Sequence, residues 1–335
     1  MSFQLARGTN VSHWLSQSER RGPERSDYLT DADVARIAAL GFDHVRLPVD
    51  EVQLWNEQGR REQEAFDLLD HALVWSERAG LRAVVDLHIV RSHYFNAETR
   101  PLFGDPAAQE HFCWLWRDLS DALGRWSNDQ VAYELLNEPV ATDDEDWNRL
   151  AEQALATIRE REPERTVVID SNRFSEPAAF SALRVPADEN LILTFHLYDP
   201  ILFTHYRAPW SAVSTYEGPI DYPGELVSQE AFDSFSPEMR QAARDVRVYD
   251  IEALERSLAP ALELSGRTGN PLWCSEFGAL PTTSEEARER WYRDVLTVLA
   301  RHGVPWTNWD YKGDFGIFGS DGGPTLVHRV LTEQI

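Results

Sequence analysis

The chain has 335 residues, of which 42% are hydrophobic and 26% charged, a composition typical of a globular protein with a large core. Its 56 acidic and 32 basic residues give a formal net charge of −24, which argues against nucleic acid as a partner because phosphate backbones would be repelled. Runs of 18 apolar residues are missing from the sequence, so we expect no membrane span and no membrane partner.

Residues 1–10 lack the charged and apolar regions of a secretory signal, which predicts a cytoplasmic protein, although a secreted chain with its signal removed would look the same. Cys113 and Cys274 are predicted to be reduced thiols, since a disulfide scaffold would carry more cysteines. Lys312 is the single lysine among the basic residues. This acidic, lysine-poor composition fits either a high-salt cytoplasm or a coding bias combined with solubility.

The predicted elements alternate along the chain between short β-branched runs and amphipathic helices, the rhythm of βα units. One helix is expected to begin after a capping Thr30 and to end at Gly41. Another has apolar residues at helical spacing from Trp147 to Ile158. Strands are predicted at residues 5–10, 44–48, 82–88, 131–137, 166–170, 191–196, 272–276 and 305–309.

Eight strands are the number that closes a barrel. A doubly wound open sheet shares the same alternation, but it requires a glycine-rich phosphate loop after the first strand, which this sequence lacks. We therefore predict an α/β fold, a single (β/α)8 TIM barrel, with one catalytic domain over residues 1–335.

Residues 199–249 interrupt the alternation after the sixth predicted strand. The segment carries five prolines and several aromatic residues, among them Phe203, Tyr206, Trp210, Tyr216 and Tyr222. Long loops are usually functional or disordered, and the aromatic content argues against disorder. We predict a loop excursion over the barrel mouth that is not a separate domain.

Polar side chains stand at the ends of most of the predicted strands, where a barrel of this kind carries its reactive groups. These residues are Arg46, His88, Asn137, Glu138, His196, Tyr198, Glu276 and Trp309. Glu138 and Glu276 end the fourth and seventh strands, which face each other across a barrel. Two opposed carboxyl groups catalyse glycoside hydrolysis in most glycosidases, and a separation of about 5 Å between them leads to retention of configuration.

Several motifs then resemble glycoside hydrolase family 5, the old cellulase family A, in the family's order and over nearly the whole chain. They are RGTNVSHW (7–14), VRLP (45–48), DLH (86–88), ELLNEP (134–139), FHLY (195–198), SEFG (275–278) and NWDYKG (308–313). The resemblance implies that Glu138 is the general acid/base and Glu276 the nucleophile. It also implies a retaining mechanism without a cofactor or a metal ion.

The resemblance assigns supporting roles to the neighbouring residues. Asn137 would hydrogen-bond the sugar 2-hydroxyl, and Arg46 and Tyr198 would keep Glu276 ionised and oriented. His196 would lie near Glu138 and influence its protonation, while His88 would contact hydroxyl groups of the same sugar. Trp309 would form the apolar platform under that sugar.

Four further residues have more open interpretations. His13 is expected at the barrel mouth, and Lys312 either donates to a sugar hydroxyl or is a solvent-facing loop lysine. Glu134 is predicted to lie deeper in the barrel with an arginine or histidine partner. Cys274 is predicted to share a strand face with Glu276 and to pack in the interior.

The sequence therefore predicts a retaining β-glycoside hydrolase that binds β-linked carbohydrate, with β-glucan-derived oligosaccharides favoured and β-mannosides second. A metal-dependent barrel hydrolase is disfavoured because no His-x-His ends the first strand and no HExxH is present. A sugar-binding protein without activity is disfavoured because both carboxylates and their neighbours are present. The oligomeric state is not predicted.

Overall fold

The computed structural model describes residues 3–333, so residues 1–2 and 334–335 of the predicted domain lie outside the described residues. Within this range, eight parallel strands close into a barrel in the order β1-β10-β9-β6-β5-β4-β3-β2. The barrel strands are β1 (Arg7–Asn10), β2 (His44–Asp50), β3 (Arg82–Ile89), β4 (Val131–Glu134), β5 (Val167–Asp170), β6 (Leu191–Leu197), β9 (Leu272–Phe277) and β10 (Trp306–Asn308). A separate antiparallel pair consists of β7 (Gly224–Glu225) and β8 (Val248–Tyr249).

The helices alternate with the strands. They are α1 (Pro23–Ser26), α2 (Asp31–Ala39), α3 (Glu51–Leu54), α4 (Gln63–Arg78), α5 (Pro106–Leu123), α6 (Asp144–Arg159), α7 (Asn172–Ser175), α8 (Ile201–Thr204), α9 (Gln229–Asp233), α10 (Pro237–Ala242), α11 (Ile251–Ser257), α12 (Ala259–Thr268), α13 (Glu285–Arg301) and α14 (Leu326–Glu333). Residues of three short helices, α7, α8 and α10, line the cavity at the mouth of the barrel. Turns of 3-10 helix lie at Pro101–Phe103, Pro177–Ser181 and Ala212–Thr215. No helix in the described part of the chain combines the length and apolar character needed to cross a bilayer.

Local sequence signals explain where these helices form. The predicted cap of α2 is confirmed: the Thr30 hydroxyl accepts from the backbone N–H of Asp33, whose carboxylate in turn accepts from the backbone N–H of Thr30. The predicted apolar stripe of α6 is also confirmed, since Trp147, Leu150 and Ile158 are buried. These helices are therefore stabilised both by their ends and by one buried face.

The inside of the barrel changes from apolar to polar along the strands. At the N-terminal end, the inward residues are Val84, Ala132, Val168, Ile192 and Trp273, which pack together with Phe3. One layer above them the inward residues are polar and buried: Asn10, Arg46, Asp86, Glu134, Asp170, Thr194 and Ser275. Because inward positions alternate along each strand, the next layer lies at the C-terminal mouth.

A register shift in β9 corrects the expectation that Cys274 and Glu276 share a strand face. Phe195 pairs with Cys274 and His196 pairs with Glu276, which leaves Ser275 as an extra residue in the strand. The Ser275 hydroxyl accepts from Thr194 inside the barrel, whereas Cys274 packs in the hydrophobic cluster outside it. The irregularity thus brings Glu276 to the mouth. Both cysteines are free thiols.

The 199–249 segment contains ordered elements rather than plain loop: α8, a 3-10 turn, β7, α9, α10 and β8 all lie within it. Phe203, Tyr206 and Tyr222 are buried, and they hold the segment together by packing. Trp210, in contrast, is 50% exposed. The single-domain boundary remains a prediction.

Candidate active site

A cavity of about 1120 Å³ opens at the C-terminal ends of the barrel strands. Most of the predicted site residues line it: His13, His88, Asn137, Glu138, His196, Tyr198, Glu276 and Trp309. Arg46 lies directly below, fully buried in the polar layer. The fold therefore brings together residues that are as much as 296 positions apart in the chain.

The two predicted catalytic carboxyl groups meet in this cavity. An oxygen of Glu138 and an oxygen of Glu276 lie within 4.8 Å of each other, and a ring nitrogen of His196 lies within the same distance of both. His196 Nδ1 is 2.9 Å from Glu138 Oε1 and 3.5 Å from Glu276 Oε2. Separations of about 5 Å are typical of retaining glycosidases, whereas inverting enzymes need about 6.5–9.5 Å to admit a water molecule.

Arg46 fixes the position of Glu276 through a guanidinium group in which every N–H donates a hydrogen bond. Its Nε and Nη2 donate to both oxygens of Glu134 at 2.7 Å each. Its Nη1 donates to Glu276 Oε1 at 2.6 Å and to Asn10 at 3.0 Å, and Nη2 also donates to Asn137 Oδ1 at 2.9 Å. The prediction that Glu134 has an arginine partner is confirmed. With Asn137 Oδ1 occupied, its Nδ2 is the atom left to donate to a sugar hydroxyl.

The surroundings separate the protonation states of the two glutamates. Burial, followed by the nearby charge of Glu276, raises the pKa of Glu138 well above its usual range. Burial also raises the pKa of Glu276, but Arg46 and the hydrogen bond from Tyr198 oppose the rise. The Tyr198 hydroxyl donates to Glu276 Oε2 at 2.7 Å. Glu138 is thus the group that holds a proton, and Glu276 the group that is stabilised as an anion.

The backbone at Glu138 is held in an unusual conformation. Its φ of 48° lies in the left-handed region, which costs a residue with a side chain about 1–3 kcal/mol. The carbonyl of Glu138 accepts from His93 at 3.0 Å, which helps to retain this conformation. The strain is therefore located at the proposed general acid.

His88 and Trp309 form an apolar wall beside the carboxylates. Their rings stack at 5.7 Å with an angle of 7° between the planes. His88 Nδ1 bonds to Asp86 at 2.7 Å, and burial, followed by the charge of Arg46, lowers the pKa of His88 to about 3. His88 is consequently a neutral ring. Trp309 also packs on Ala208 and Phe315, which hold it as a rigid platform.

The structure corrects the interpretation of Lys312 as a donor to a sugar hydroxyl. Its ammonium group pairs with Asp33 Oδ1 at 2.7 Å and donates to the carbonyl of Tyr28 at 3.0 Å. It does not line the cavity, and its side chain is 33% exposed in the loop after β10. Its role in the described part of the chain is to join the loop after β10 to the start of α2.

Sequence reasoning missed several residues that line the cavity. Tyr94 and Phe174 are 40% and 39% exposed there, beside the 50% exposed Trp210. Exposed aromatic rings in a cavity are suited to stacking on sugars. Glu176 and Arg244 also line it, and the only sequence signal for any of these residues was the aromatic content of the 199–249 segment.

Within residues 3–333, two groups of side chains are spaced closely enough to hold a metal ion. They are Glu138, His196 and Glu276 in the cavity, and Glu134, Asp170 and His196 in the layer below. The first group is the catalytic constellation itself, and in the second Glu134 is already paired with Arg46 through both oxygens. The geometry alone therefore does not require a metal, and chelation provides a direct test.

Comparison with known proteins shows the family of the chain. The model of the Cellulase family (glycosyl hydrolase family 5) matches residues 6–315. The chain belongs to glycosyl hydrolase family 5. Its membership in this family identifies the protein as an O-glycosyl hydrolase and confirms the resemblance noted from the motifs.

Curated relatives of this family 5 chain cover it almost completely. Endoglucanase C of Acetivibrio thermocellus is 31% identical over 333 residues, which are 96% of each protein. Cellodextrinase A of Ruminococcus flavefaciens is 27% identical over 90% of this chain and 83% of its own length.

Solved structures support the fold of this family 5 member. A hyperthermophilic endo-beta-1,4-glucanase superposes with a TM-score of 0.79 at 21% identity, over 98% of this chain and 97% of that one. The endoglucanase Cel5A of Thermotoga maritima gives a TM-score of 0.77 at 24% identity, over 98% and 96% of the two chains. The predicted (β/α)8 barrel is therefore confirmed by both its own topology and its neighbours.

Proposed function

We propose that the protein hydrolyses β-glucan-type oligosaccharides with retention of configuration. The observation that carries this proposal is the approach of Glu138 and Glu276 to within 4.8 Å in a cavity walled by Trp309. This separation leaves no space for a water molecule between the sugar and Glu276. The carboxylate of Glu276 must therefore attack the anomeric carbon directly.

The geometry supports a reaction in two steps. In the first, Glu138 donates its proton to the glycosidic oxygen while Glu276 attacks the anomeric carbon, and the aglycone leaves. In the second, the ionised Glu138 takes a proton from water, which displaces Glu276 from the anomeric carbon and releases the sugar. Arg46 and Tyr198 stabilise Glu276 whenever it is an anion, because they donate to different oxygens of its carboxylate.

The choice of β-glucan rests on the named relatives and on the shape of the cavity. The relatives are an endoglucanase and a cellodextrinase. The exposed aromatic rings of Tyr94, Phe174 and Trp210 provide stacking surfaces beyond the sugar that Trp309 would contact. β-Manno-oligosaccharides remain the second candidate.

The first experiment is to follow hydrolysis of cello-oligosaccharides and manno-oligosaccharides by NMR. We expect faster cleavage of the cello series and an initial product with the β anomeric configuration. An initial α product would contradict retention, and faster cleavage of the manno series would replace the proposed substrate. Activity should survive EDTA, whereas its loss would point to a metal-dependent reaction.

The second experiment tests the nucleophile with Glu276→Ala. Hydrolysis should fall by about 10⁴-fold or more, and azide should restore turnover of an activated aryl β-cellobioside with an α-glycosyl azide as product. Glu230→Ala, which removes an exposed carboxylate in the 199–249 segment, should leave activity unchanged. Sugar binding without turnover by the wild type would instead indicate a binding protein.

A further inference from the structure

A buried carboxyl group lies behind His196 and is not used by the reaction described above. Asp170 is the last residue of β5 and is completely buried. It pairs with Thr194 of β6, two residues before His196. Its Oδ1 accepts from the Ser175 hydroxyl at 2.7 Å, but within residues 3–333 its Oδ2 has no hydrogen-bond partner.

One ring nitrogen of His196 also lacks a hydrogen-bond partner among the described residues. Its Nδ1 is occupied by Glu138 at 2.9 Å, while Nε2 is buried and has no partner in the described part of the protein. A ring nitrogen of His196 and carboxylate oxygens of Asp170 and Glu134 all lie within 4.8 Å of one another. Buried polar atoms without a partner are expensive to leave unsatisfied, so an interaction between Nε2 of His196 and Oδ2 of Asp170 is favoured.

The charges around this pair decide which atom holds the proton. Burial, followed by the charge of Arg46, lowers the pKa of His196 well below its usual range, so the ring is neutral with one donor and one acceptor nitrogen. Burial, followed by the nearby Glu134, raises the pKa of Asp170 well above its usual range. Burial also raises the pKa of Glu134, but Arg46, which donates to both of its oxygens, opposes that rise. Asp170 is the carboxyl group that remains protonated.

We propose that Asp170 is a positioning residue whose protonated Oδ2 donates to Nε2 of His196 and thereby fixes the ring tautomer with hydrogen on Nδ1. In that tautomer Nδ1 donates to Glu138 Oε1. The acidic proton of Glu138 must then be on Oε2, the oxygen left to protonate the glycosidic oxygen. The inference extends the proposed function, because it rests on the role of Glu138 as general acid.

Two variants separate this role from simple packing. Asp170→Asn keeps the shape and can still donate, through Nδ2, to Nε2 of His196 while its oxygen accepts from Ser175. Asp170→Ala removes the donor and allows the other tautomer, in which Glu138 would donate its proton to Nδ1 of His196 and not to the substrate. Thermal unfolding of both variants shows whether each is folded at the assay temperature.

The kinetic test compares leaving groups. For phenyl β-cellobioside, which needs acid assistance, Asp170→Ala should lower kcat/KM on the order of 10- to 100-fold, while dinitrophenyl β-cellobioside should lose less than about threefold. Asp170→Asn should lie within about threefold of wild type on both. Equal losses on the two substrates, or an Asn variant as impaired as the Ala variant, would overturn the proposal.

The tautomer of His196 can be measured independently of enzymatic activity, by NMR of the protein with isotope-labelled histidine. The signal of His196 is assigned as the one that is absent from the spectrum of His196→Phe. We expect hydrogen on Nδ1 in the wild type and in Asp170→Asn, and hydrogen on Nε2 in part or all of Asp170→Ala. Hydrogen on Nε2 in the wild type would overturn the proposal even if glycoside hydrolysis is confirmed. A stoichiometric metal in the purified protein, held by Glu134, Asp170 and His196, would also overturn it.

Discussion

At the scale of single residues, Arg46 connects the proposed nucleophile to the rest of the barrel. Burial would lower the pKa of Arg46, but Asp86, Glu134 and Glu276 raise it well above its usual range, so the guanidinium stays charged. All five of its N–H groups have acceptors on the surrounding strands or in the loop after β4. Its contribution is therefore orientation as well as charge, because a planar group with five donors holds several partners at fixed angles.

We predict that Arg46→Lys is strongly impaired although it keeps the positive charge. An ammonium group has three donors and cannot bond both oxygens of Glu134 while also reaching Glu276 and Asn137. We expect kcat/KM to fall on the order of 10²- to 10⁴-fold, and the free energy of unfolding to fall by about 3 kcal/mol. Steady-state kinetics and denaturant unfolding measure the two effects.

The matched control is Arg159→Lys. Arg159 makes a similar two-oxygen contact with Asp188, at 2.6 and 3.0 Å, on the outside of the barrel. It should leave kcat/KM within about twofold of wild type, since neither Arg159 nor Asp188 lines the cavity. Activity of Arg46→Lys near that of the control would show that charge alone suffices at this position.

Sequence reasoning located the site residues that end strands, and it did less well for residues in loops. His88, His196 and Trp309 could be predicted because the end of a barrel strand has a known place in the fold. The ion pair of Lys312 with Asp33 could not be predicted, since it depends on how a loop meets the start of a distant helix. Tyr94 and Phe174 were missed for the same reason: no periodicity gives the path of a loop.

At the scale of elements, the eight predicted strands are confirmed with small differences at their ends. The largest difference is at 131–137, where β4 ends at Glu134 although the backbone N–H of Asn137 still bonds to β3 through Leu87. Alternation could not predict the extra Ser275 in β9, because a register shift depends on the neighbouring strand. Nor could it predict that, within residues 171–190, a 3-10 turn stands in place of a long helix.

The 199–249 segment is joined to the barrel by Arg244. Its Nη1 donates to Asp199 at 2.8 Å and its Nη2 to Glu176 at 2.6 Å, so one side chain connects the segment to the loops after β5 and β6. Asp199 is buried, and Glu176 and Arg244 line the cavity. These ion pairs are only partly exposed and therefore stronger than surface pairs.

We predict that Arg244→Ala loosens the segment and weakens the binding of longer substrates. The KM for cello-oligosaccharides should rise about 5- to 20-fold, since the aromatic face of Trp210 is less well placed, while small aryl glycosides should change less than about threefold. Limited proteolysis within residues 199–249 should be faster. Arg240→Ala, whose partners Asp233 and Asp245 lie in the same segment, is the control and should resemble wild type.

At the scale of the whole molecule, the net charge of −24 is the dominant electrostatic feature. Many acidic groups are paired with arginines on the surface, but the 24 excess negative charges repel one another at low ionic strength. Salt shortens the range of that repulsion to about 3 Å at 1 M. Net repulsion should therefore limit the stability of the folded state in dilute buffer.

We predict that raising NaCl from about 0.05 to about 1 M increases Tm by about 2–4 °C. Most of the increase should occur below about 0.5 M, where screening changes fastest. A steady rise at all concentrations would indicate exclusion of the salt from the protein surface. A decrease in Tm would show that the arginine ion pairs outweigh the repulsion.

The ion pair and hydrogen bonds of Lys312 provide a practical way to follow local unfolding of this enzyme. A protease that cuts only after lysine has a single site in the chain, and cleavage there would release residues 313–335. In the folded protein the ammonium is held by Asp33 and the carbonyl at the cutting point accepts from the Tyr28 hydroxyl at 2.7 Å. The rate at which that fragment appears would therefore measure how often the loop after β10 separates from the barrel.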